Sequence, residues 1–207
     1  MGKLMVGIAG VMVLFMGLFC TVKAADGAGK TTLDNLQAAF NGESNAKARY
    51  EAFAVKADEE GYKSVAALFR AAAKSEGIHA VKHGEMIRKM GAEARTTIEK
   101  ADVKSTKENL EASIKGENAE KDSMYPAFIK QAEADKNAGA AMTFKGAMVA
   151  EVEHSRMYGQ ALKDLDSWKA GGKIFLVCTI CGFTTMDQKI KICPVCSSPR
   201  DKFDVVK

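Results

Sequence analysis

The chain has 207 residues, 47% of them hydrophobic and 27% charged, with a net charge of +4. This balance excludes a long disordered protein, and without a basic block interleaved with aromatics nucleic-acid binding has no support. The 3 prolines, beside many alanines and methionines, favour helices over a β-sandwich or barrel.

The N-terminal segment stands apart from the rest. Lys3 gives a short positive start, and Leu4 to Phe19 form an unbroken apolar run. Val22-Lys23-Ala24 then offers small residues at −3 and −1 of a cut before Ala25. Residues 1–24 therefore read as a secretory signal peptide, which makes the mature protein periplasmic or otherwise exported. The alternative is an uncleaved membrane anchor over residues 4–22, although the run falls short of the roughly 20 residues that a spanning helix needs. Phe19 is too bulky to precede a lipidated cysteine at Cys20. No twin-arginine pair is present, so export of an unfolded chain is expected, with metals loaded outside the cytoplasm.

Residues 25–168 read as a mainly α domain of four long helices. The first is capped by Thr31 or Thr32 and carries Leu33, Leu36, Phe40, Glu43, Tyr50 and Ala54 on one face. Gly61 breaks the chain. The second carries Val65, Phe69, Ala72, Glu76, His79, His83, Met86 and Met90, and stops at Gly91. A longer connection, Ala92 to Val103, leads to the third. That helix starts near Ser105 and carries Leu110, Ile114, Glu117, Glu120 or Lys121, Met124 and Phe128. After a turn at Asn137 and Gly139, the fourth carries Phe144, Met148, Glu151, His154 or Ser155, Tyr158, Leu162 and Leu165. Two short connections and one long one give two antiparallel hairpins joined by a crossing segment, the ferritin-like form of a four-helix bundle.

A glutamate interrupts every apolar stripe. Glu43, Glu76, Glu117 and Glu151 sit where leucine is expected, and Glu120 lies one turn past Glu117. Each unpaired buried charge costs several kcal/mol, so five clustered carboxylates need compensation. No matching set of inward lysines or arginines is present, and metal cations fit. Glu76-Gly-Ile-His79 and Glu151-Val-Glu-His154 are both Glu-x-x-His, which puts carboxylate and imidazole on one helix face. One Glu from each of two helices, with Glu-x-x-His from the other two, is the donor set of carboxylate-bridged di-iron and di-manganese bundles. His83 reads as a neighbour of this set or a surface histidine rather than a ligand. Gly42, Gly77 and Gly116 flank the ligands and either let the helices approach or are tolerated surface glycines.

Residues 169–207 form a small second unit. Gly171-Gly172 reads as a linker or turn, and Lys173 to Val177 as a short strand. So short a unit needs a staple. Cys178-Thr-Ile-Cys181-Gly and Cys193-Pro-Val-Cys196 supply it as a four-thiolate metal site, with two disulfides as the other reading for an exported chain. Gly182 follows the first pair, where positive φ is often needed. Spacing alone leaves zinc and iron equally open.

Taken together, these motifs resemble rubrerythrin, a family of non-haem iron peroxidases with a di-iron bundle and a rubredoxin-like tail. The resemblance rests on Ala-Phe-Asn-Gly-Glu43-Ser-Asn-Ala-Lys-Ala-Arg-Tyr50, Glu76-Gly-Ile-His79, Gly-Glu117-Asn-Ala-Glu120 with Met-Tyr125-Pro126, Glu151-Val-Glu-His154 and the cysteine pairs. It implies that Glu76 and Glu151 bridge two irons, that Glu43 is a terminal ligand to the first, and that Glu117 and His154 hold the second. Glu120 and His79 exchange on the first iron, the glutamate when oxidised and the histidine when reduced. Tyr50 and Tyr125 hydrogen-bond near the ligands or simply pack in the core. A redox di-iron site tips Cys178, Cys181, Cys193 and Cys196 toward iron, with zinc still permitted.

The implied activity is reduction of hydrogen peroxide to water in oxidative stress defence, with electrons relayed through the four-cysteine iron. The implied assembly is a homodimer in which one subunit's tail approaches the other's di-iron site. An exported chain is out of reach of cytosolic reductases, so a periplasmic carrier is the expected electron donor. No nucleic acid is expected as a partner, and a membrane only if the N-terminal segment stays attached. The competing functions are a ferroxidase or iron-storage protein and a non-enzymatic metal-binding module with a zinc ribbon.

Overall fold

The computed structural model describes residues 1–2 and 30–207. The signal-peptide and anchor readings rest on residues 3–29 and lie outside the described residues. Among the described residues, no helix is long and apolar enough to cross a membrane.

Helix α1 (Thr32–Glu59) starts at Thr31, which forms a capping box with Asp34. It ends at Gly61, whose φ of +80° lets Tyr62 N–H reach back to Ala57 O at 2.8 Å. Helix α2 (Lys63–Lys89) runs back antiparallel and ends the same way at Gly91, φ +79°. The long connection then runs along α1. Asn41 accepts from Thr96, Asn45 accepts from Glu99 N–H, and Glu60 at the far end accepts from Thr106 N–H. Helix α3 (Thr106–Ala119), capped by Ser105 and Glu108, therefore starts beside the end of α1 and runs parallel to α2. A crossing segment was the expectation from its length, and the structure shows it. Helix α4 (Tyr125–Ala134) ends where Asp135 accepts from Thr32, and α5 (Ala138–Lys163) completes the bundle.

The third predicted helix is not one regular helix. Between α3 and α4 lies a π-helical turn, Glu120–Met124, in which Tyr125 N–H bonds Glu120 O. Pro126 explains the slip, because without an N–H it cannot bond the carbonyl four residues back. The turn inserts one residue, so Tyr125 is fully buried while Met124, the inward residue by regular spacing, is only half-buried.

Two apolar clusters fill the bundle on either side of an acidic layer. One contains Tyr50, Phe53, Leu68, Phe69, Leu110 and Tyr158. The other contains Leu36, Ile87, Tyr125, Phe128, Ile129 and Phe144. Between them lie Glu43, Glu76, His79, Glu117, Glu151 and His154, each no more than 3% exposed.

The C-terminal unit is a three-stranded antiparallel sheet of order β2-β1-β3, with β1 Phe175–Cys178, β2 Thr184–Thr185 and β3 Phe203–Val206. All four residues of β1 are buried, because the strand has cores on both faces. Phe175 and Val177 join the bundle cluster, while Leu176 and Cys178 pack with Phe183, Cys193 and Phe203. The approach to the strand is anchored rather than loose. Trp168 packs on Phe175 with ring centroids 6.2 Å apart. Lys169 O accepts from Lys63 N–H, and Ala170 O accepts from the Ser64 hydroxyl at 2.6 Å.

Candidate metal centres

The acidic layer resolves into two overlapping sets of ligand atoms, each set within 4.8 Å of itself. The first is Glu43, Glu76, His79 and Glu151; the second is Glu76, Glu117, Glu151 and His154. Glu76 and Glu151 belong to both, the arrangement expected of bridging carboxylates. Each comes from a Glu-x-x-His on α2 or α5, one helical turn from its histidine. His79 Nδ1 is 3.0 Å from Glu76 Oε2 and 3.3 Å from Glu151 Oε1; His154 Nδ1 is 3.2 Å from Glu76 Oε1 and 2.9 Å from Glu151 Oε2.

Glu43 and Glu117 close the two ends, and a tyrosine from the opposite hairpin holds each. Tyr50 donates to Glu117 Oε1 at 2.5 Å, and Tyr125 donates to Glu43 Oε1. Glu43 and Tyr50 are seven residues apart, two α-turns. Glu117 and Tyr125 are eight apart, and the residue added by the π-helical turn brings the tyrosine back to the same face. Burial pushes both hydroxyls well above the usual tyrosine range, so they stay protonated donors.

The residues fit two cations. Glu43 Oε2, Glu117 Oε2, both oxygens of Glu151 and both ring nitrogens of His154 are buried without an aligned hydrogen-bond partner. At about 1–3 kcal/mol each, that many unsatisfied polar atoms cost about as much as a domain's whole net stability, whereas metal coordination satisfies them together. The four carboxylates of the two sets also match the charge of two divalent cations, with the imidazoles neutral.

Glu120 stands outside both sets. It opens the π-helical turn, half-buried, and its carboxyl is held well above the usual range by burial and by the charges of Glu43, Glu151 and Glu76. His79, not Glu120, occupies the first set here. Of the glycines near the ligands, Gly42 and Gly116 have open space where a side chain would go, and Gly77 faces only the Lys47 side chain. The idea that they let the helices approach is not supported.

The glycine that matters is Gly182. Its φ is +84°, as expected after the first cysteine pair. A Cβ there would also fall 2.6 Å from His79 Cδ2, nearer still to Nε2, and 3.1 Å from Ser75 Oγ. Ser75 donates to Gly182 O at 2.6 Å. The Cys181 turn is thus clamped onto the outer edge of the imidazole whose inner nitrogen faces the carboxylates. Sequence reasoning missed Ser75, since nothing distinguishes it on an alanine-rich helix. The resemblance implies that a tail approaches the di-iron site of the other subunit; in this structure the chain's own tail lies beside its own His79.

The four sulfurs converge. Cys178 and Cys196 are 3.6 Å apart and Cys181 and Cys193 3.5 Å, close to the about 3.8 Å edge of a tetrahedron with metal–sulfur bonds of about 2.3 Å. All four are free thiols, so the two-disulfide reading is set aside. Burial raises the Cys178 thiol to about 11 and raises Cys181 further. Burial works to raise Cys196, but hydrogen bonds with the Ser198 hydroxyl and amide and with Cys181 and Cys178 together bring it down to about 7.

His83 is fully buried, not on the surface. Burial, with the charge of nearby His79, pushes it down to about 3, so it is neutral. Its Nε2 lies 3.4 Å from Tyr125 Oη and its Nδ1 3.2 Å from Thr143 Oγ1.

The family model for rubrerythrin matches residues 34–162, and that for the rubredoxin-like domain of rubrerythrin matches residues 177–204. The chain belongs to the rubrerythrin family. It is 37% identical to nigerythrin of Nitratidesulfovibrio vulgaris over 175 residues, 84% of this chain and 85% of that one. It is 35% identical to rubrerythrin-2 of Clostridium acetobutylicum over 179 residues, 83% of this chain and 95% of that one. The fully reduced, all-ferrous structure of nigerythrin superposes with a TM-score of 0.79 at 35% identity, covering 89% of this chain and 91% of the other. The buried Glu/His cluster is the family's di-iron carboxylate site, and the four cysteines are its rubredoxin-like site.

Metal removal has a testable consequence for this rubrerythrin. Burial and the charge of Glu76 raise Glu43 to about 7, and burial raises Glu117 as well. A carboxyl raised in the fold favours the folded state in acid, and that contribution is lost as pH climbs from about 4.5 to about 7. His79 and His154 are raised despite burial because Glu151, Glu76 and Glu43 surround them, and their contribution is likewise lost at high pH. Glu76, lowered by the two histidines against burial, opposes the trend with one group. Chelated protein is therefore expected to be more stable at pH about 5.5 than at pH about 8, by about 2 kcal/mol from Glu43 alone. Loaded protein shows the reverse, because protons compete with the metals. Melting curves at the two pH values, with and without chelator, check the opposite signs.

Proposed function

We propose that this rubrerythrin reduces hydrogen peroxide to water, with electrons returned through the four-cysteine centre of the same chain. The observation that carries the reading is the clamp of the Cys181–Gly182 turn on His79, which seats the residue after one cysteine ligand against the imidazole of the first carboxylate set. A store of iron has no use for such a contact. The all-ferrous state named for nigerythrin favours iron over zinc at the cysteines.

Reduction of one peroxide takes up two electrons and two protons and releases two waters. Two ferrous ions, when bound, supply the two electrons and polarise the O–O bond. Glu76 and Glu151, shared by the two sets, would hold both ions, Glu43 and Glu117 would each hold one, and His79 and His154 would complete the two sets. Tyr50 and Tyr125 fix the terminal carboxylates through hydrogen bonds and keep their orientation when charge changes. Exchange of neutral His79 for anionic Glu120 would match ligand charge to the oxidised state, and Glu120 stands at the start of the π-helical turn, beside but outside the first set. Cys178, Cys181, Cys193 and Cys196 would hold the one-electron centre.

The N-terminal segment supports export to the periplasm and a periplasmic electron donor. The resemblance supports a homodimer. Recovery of the mature chain in the cytoplasm on fractionation would remove the export reading.

The test is steady turnover. Iron-loaded protein supplied with an artificial one-electron donor is expected to consume peroxide catalytically, with donor oxidation at two electrons per peroxide. Ferrous oxidation without donor-dependent turnover would mean a ferroxidase instead. Stoichiometric zinc at the cysteines with no peroxide loss would mean a metal-binding scaffold.

A further inference from the structure

The four-cysteine unit carries the whole net charge of the chain. Of 30 Lys and Arg and 26 Asp and Glu, residues 169–207 hold seven of the first and three of the second, which leaves 23 of each before them. We propose that the loops around the second cysteine pair form the docking face for an acidic one-electron carrier protein, with exposed Ile192 at its centre and Lys189, Lys191, Arg200 and Lys202 around it. The inference deepens the proposed function and rests on its reading of the cysteines as an electron relay.

The fold gathers these residues from separate segments. Ile192 pairs with Pro199 in an isolated antiparallel bridge, and Cys193 N–H bonds Ser198 O at 2.8 Å, so Lys191 and Ile192 lie beside the stretch that leads into Arg200. Lys202 O accepts from the Thr179 N–H at 2.8 Å and from the Thr179 hydroxyl at 3.0 Å, which holds Lys202 against the first cysteine turn. Ile192 is 61% exposed, and Ile180, inside that first turn, 41%, although both are large and apolar. Lys189, Lys191 and Lys202 are exposed and Arg200 is half-buried. The acids of the unit leave this rim cationic. Asp204 pairs with Lys74 of α2, and Asp187 accepts from the backbone N–H of Lys189 at 2.9 Å. Asp201 offsets Lys202 alone, at 3.5 Å. Among the described residues, no carboxylate lies within 4.0 Å of the charged nitrogens of Lys189, Lys191 or Arg200.

An apolar centre inside a cationic rim suits a brief redox encounter. Opposite charge steers the partner in, and a small apolar contact lets it leave. Ile192 adjoins Cys193 in the chain, and Ile180 stands between Cys178 and Cys181, so a partner seated on them is one residue from the cysteine ligands. The contact with the bundle lies at another place, the buried Gly182 turn on His79, so entry and exit of electrons use different residues. Each encounter oxidises the donor by one electron and reduces the cysteine-held ion by one, and two encounters serve one peroxide. The sign of the rim selects an acidic protein. Nucleic acid is disfavoured, because Phe175, Phe183 and Phe203, the aromatic residues of the unit, are all buried and leave no ring for a base to stack on.

The probe is a plant-type ferredoxin, a small acidic one-electron carrier, added in reduced form to the oxidised, iron-loaded protein without peroxide. Bleaching of the ferric–thiolate colour is expected, at a rate that falls by about tenfold or more between about 10 mM and about 150 mM salt. Lys189→Glu with Lys191→Glu is expected to slow bleaching by about tenfold or more at low salt, while an uncharged hydroquinone reduces parent and variant alike. Lys100→Glu with Lys130→Glu, at exposed positions of the bundle domain, changes the net charge equally and is expected to leave the rate near the parental one. In zinc-loaded protein, where no electron moves, ferredoxin is expected to shift the amide resonances of residues 189–192 and 200–202 in the parent and not in the Lys189/Lys191 variant. Salt-independent bleaching, equal slowing in both double variants, or shifts confined to other residues overturns the proposal. Loss of a parental dimer in the Lys189/Lys191 variant would assign the face to a second copy of the chain. Charge-dependent capture by phosphatidylglycerol vesicles would assign it to a membrane, and either result overturns the donor. If the parent takes electrons from ferredoxin through this face yet leaves peroxide intact, the peroxidase reading fails and the docking face stands.

Discussion

Replacing Glu151 with alanine is expected to empty both metal positions of the bundle at once. Its two oxygens face both ligand sets, and neither has another aligned partner. Loss of a residue that merely supports a ligand weakens metal affinity by about 10–100-fold, so loss of a carboxylate shared by two metals exceeds a hundredfold. The variant is expected to fold, because removal of one buried carboxylate relieves repulsion within the layer. It is expected to retain one metal per chain, at the cysteines. Metal analysis after dialysis reads this directly as a fall from three metals to one. A variant that keeps two metals in the bundle would show that Glu151 does not bridge.

The second large effect lies at Gly182. Gly182→Ala places a Cβ inside contact distance of the His79 ring and Ser75 Oγ, at a φ that costs a non-glycine residue about 1–2 kcal/mol. The His79 ring cannot retreat, since its inner nitrogen is packed against Glu76, Glu151 and Glu43. The cysteine turn must lift instead. The four cysteines keep their metal, but return of electrons to the bundle slows by about tenfold or more. Ser75→Ala, which removes the clamp without a clash, costs only about 1 kcal/mol and has a smaller kinetic effect. Stopped-flow recording of the iron–thiolate colour after peroxide addition separates the two variants. An unchanged rate in Gly182→Ala would detach the tail's position from its role.

The site was legible in the sequence where one helix face carries the chemistry. Glu76 with His79 and Glu151 with His154 declare themselves, because three residues bring ligands onto one side. Glu43 and Glu117 declare themselves by breaking apolar stripes. The four cysteines need only their spacing. The turn at Glu120–Met124 was not legible, because regular periodicity pointed to Met124 and only the missing amide of Pro126 moves Tyr125 inward. Long-range contacts were closed to sequence reasoning as well. Nothing near Gly182 announces His79, more than a hundred residues earlier, and glycines closer to the ligands drew attention that the structure does not support. His83 shows the same limit, since its burial depends on Phe144 and Tyr125 from two other helices.

The most direct test of the account is an anaerobic titration of fully reduced, iron-loaded protein with hydrogen peroxide, followed in the visible spectrum. The account predicts rapid oxidation of the bundle by one equivalent, then appearance of the ferric–thiolate colour as the cysteine site gives up its electron to its own chain. That second phase is expected to be independent of protein concentration. Reduced protein that holds its irons, leaves peroxide intact and stays colourless would contradict the account.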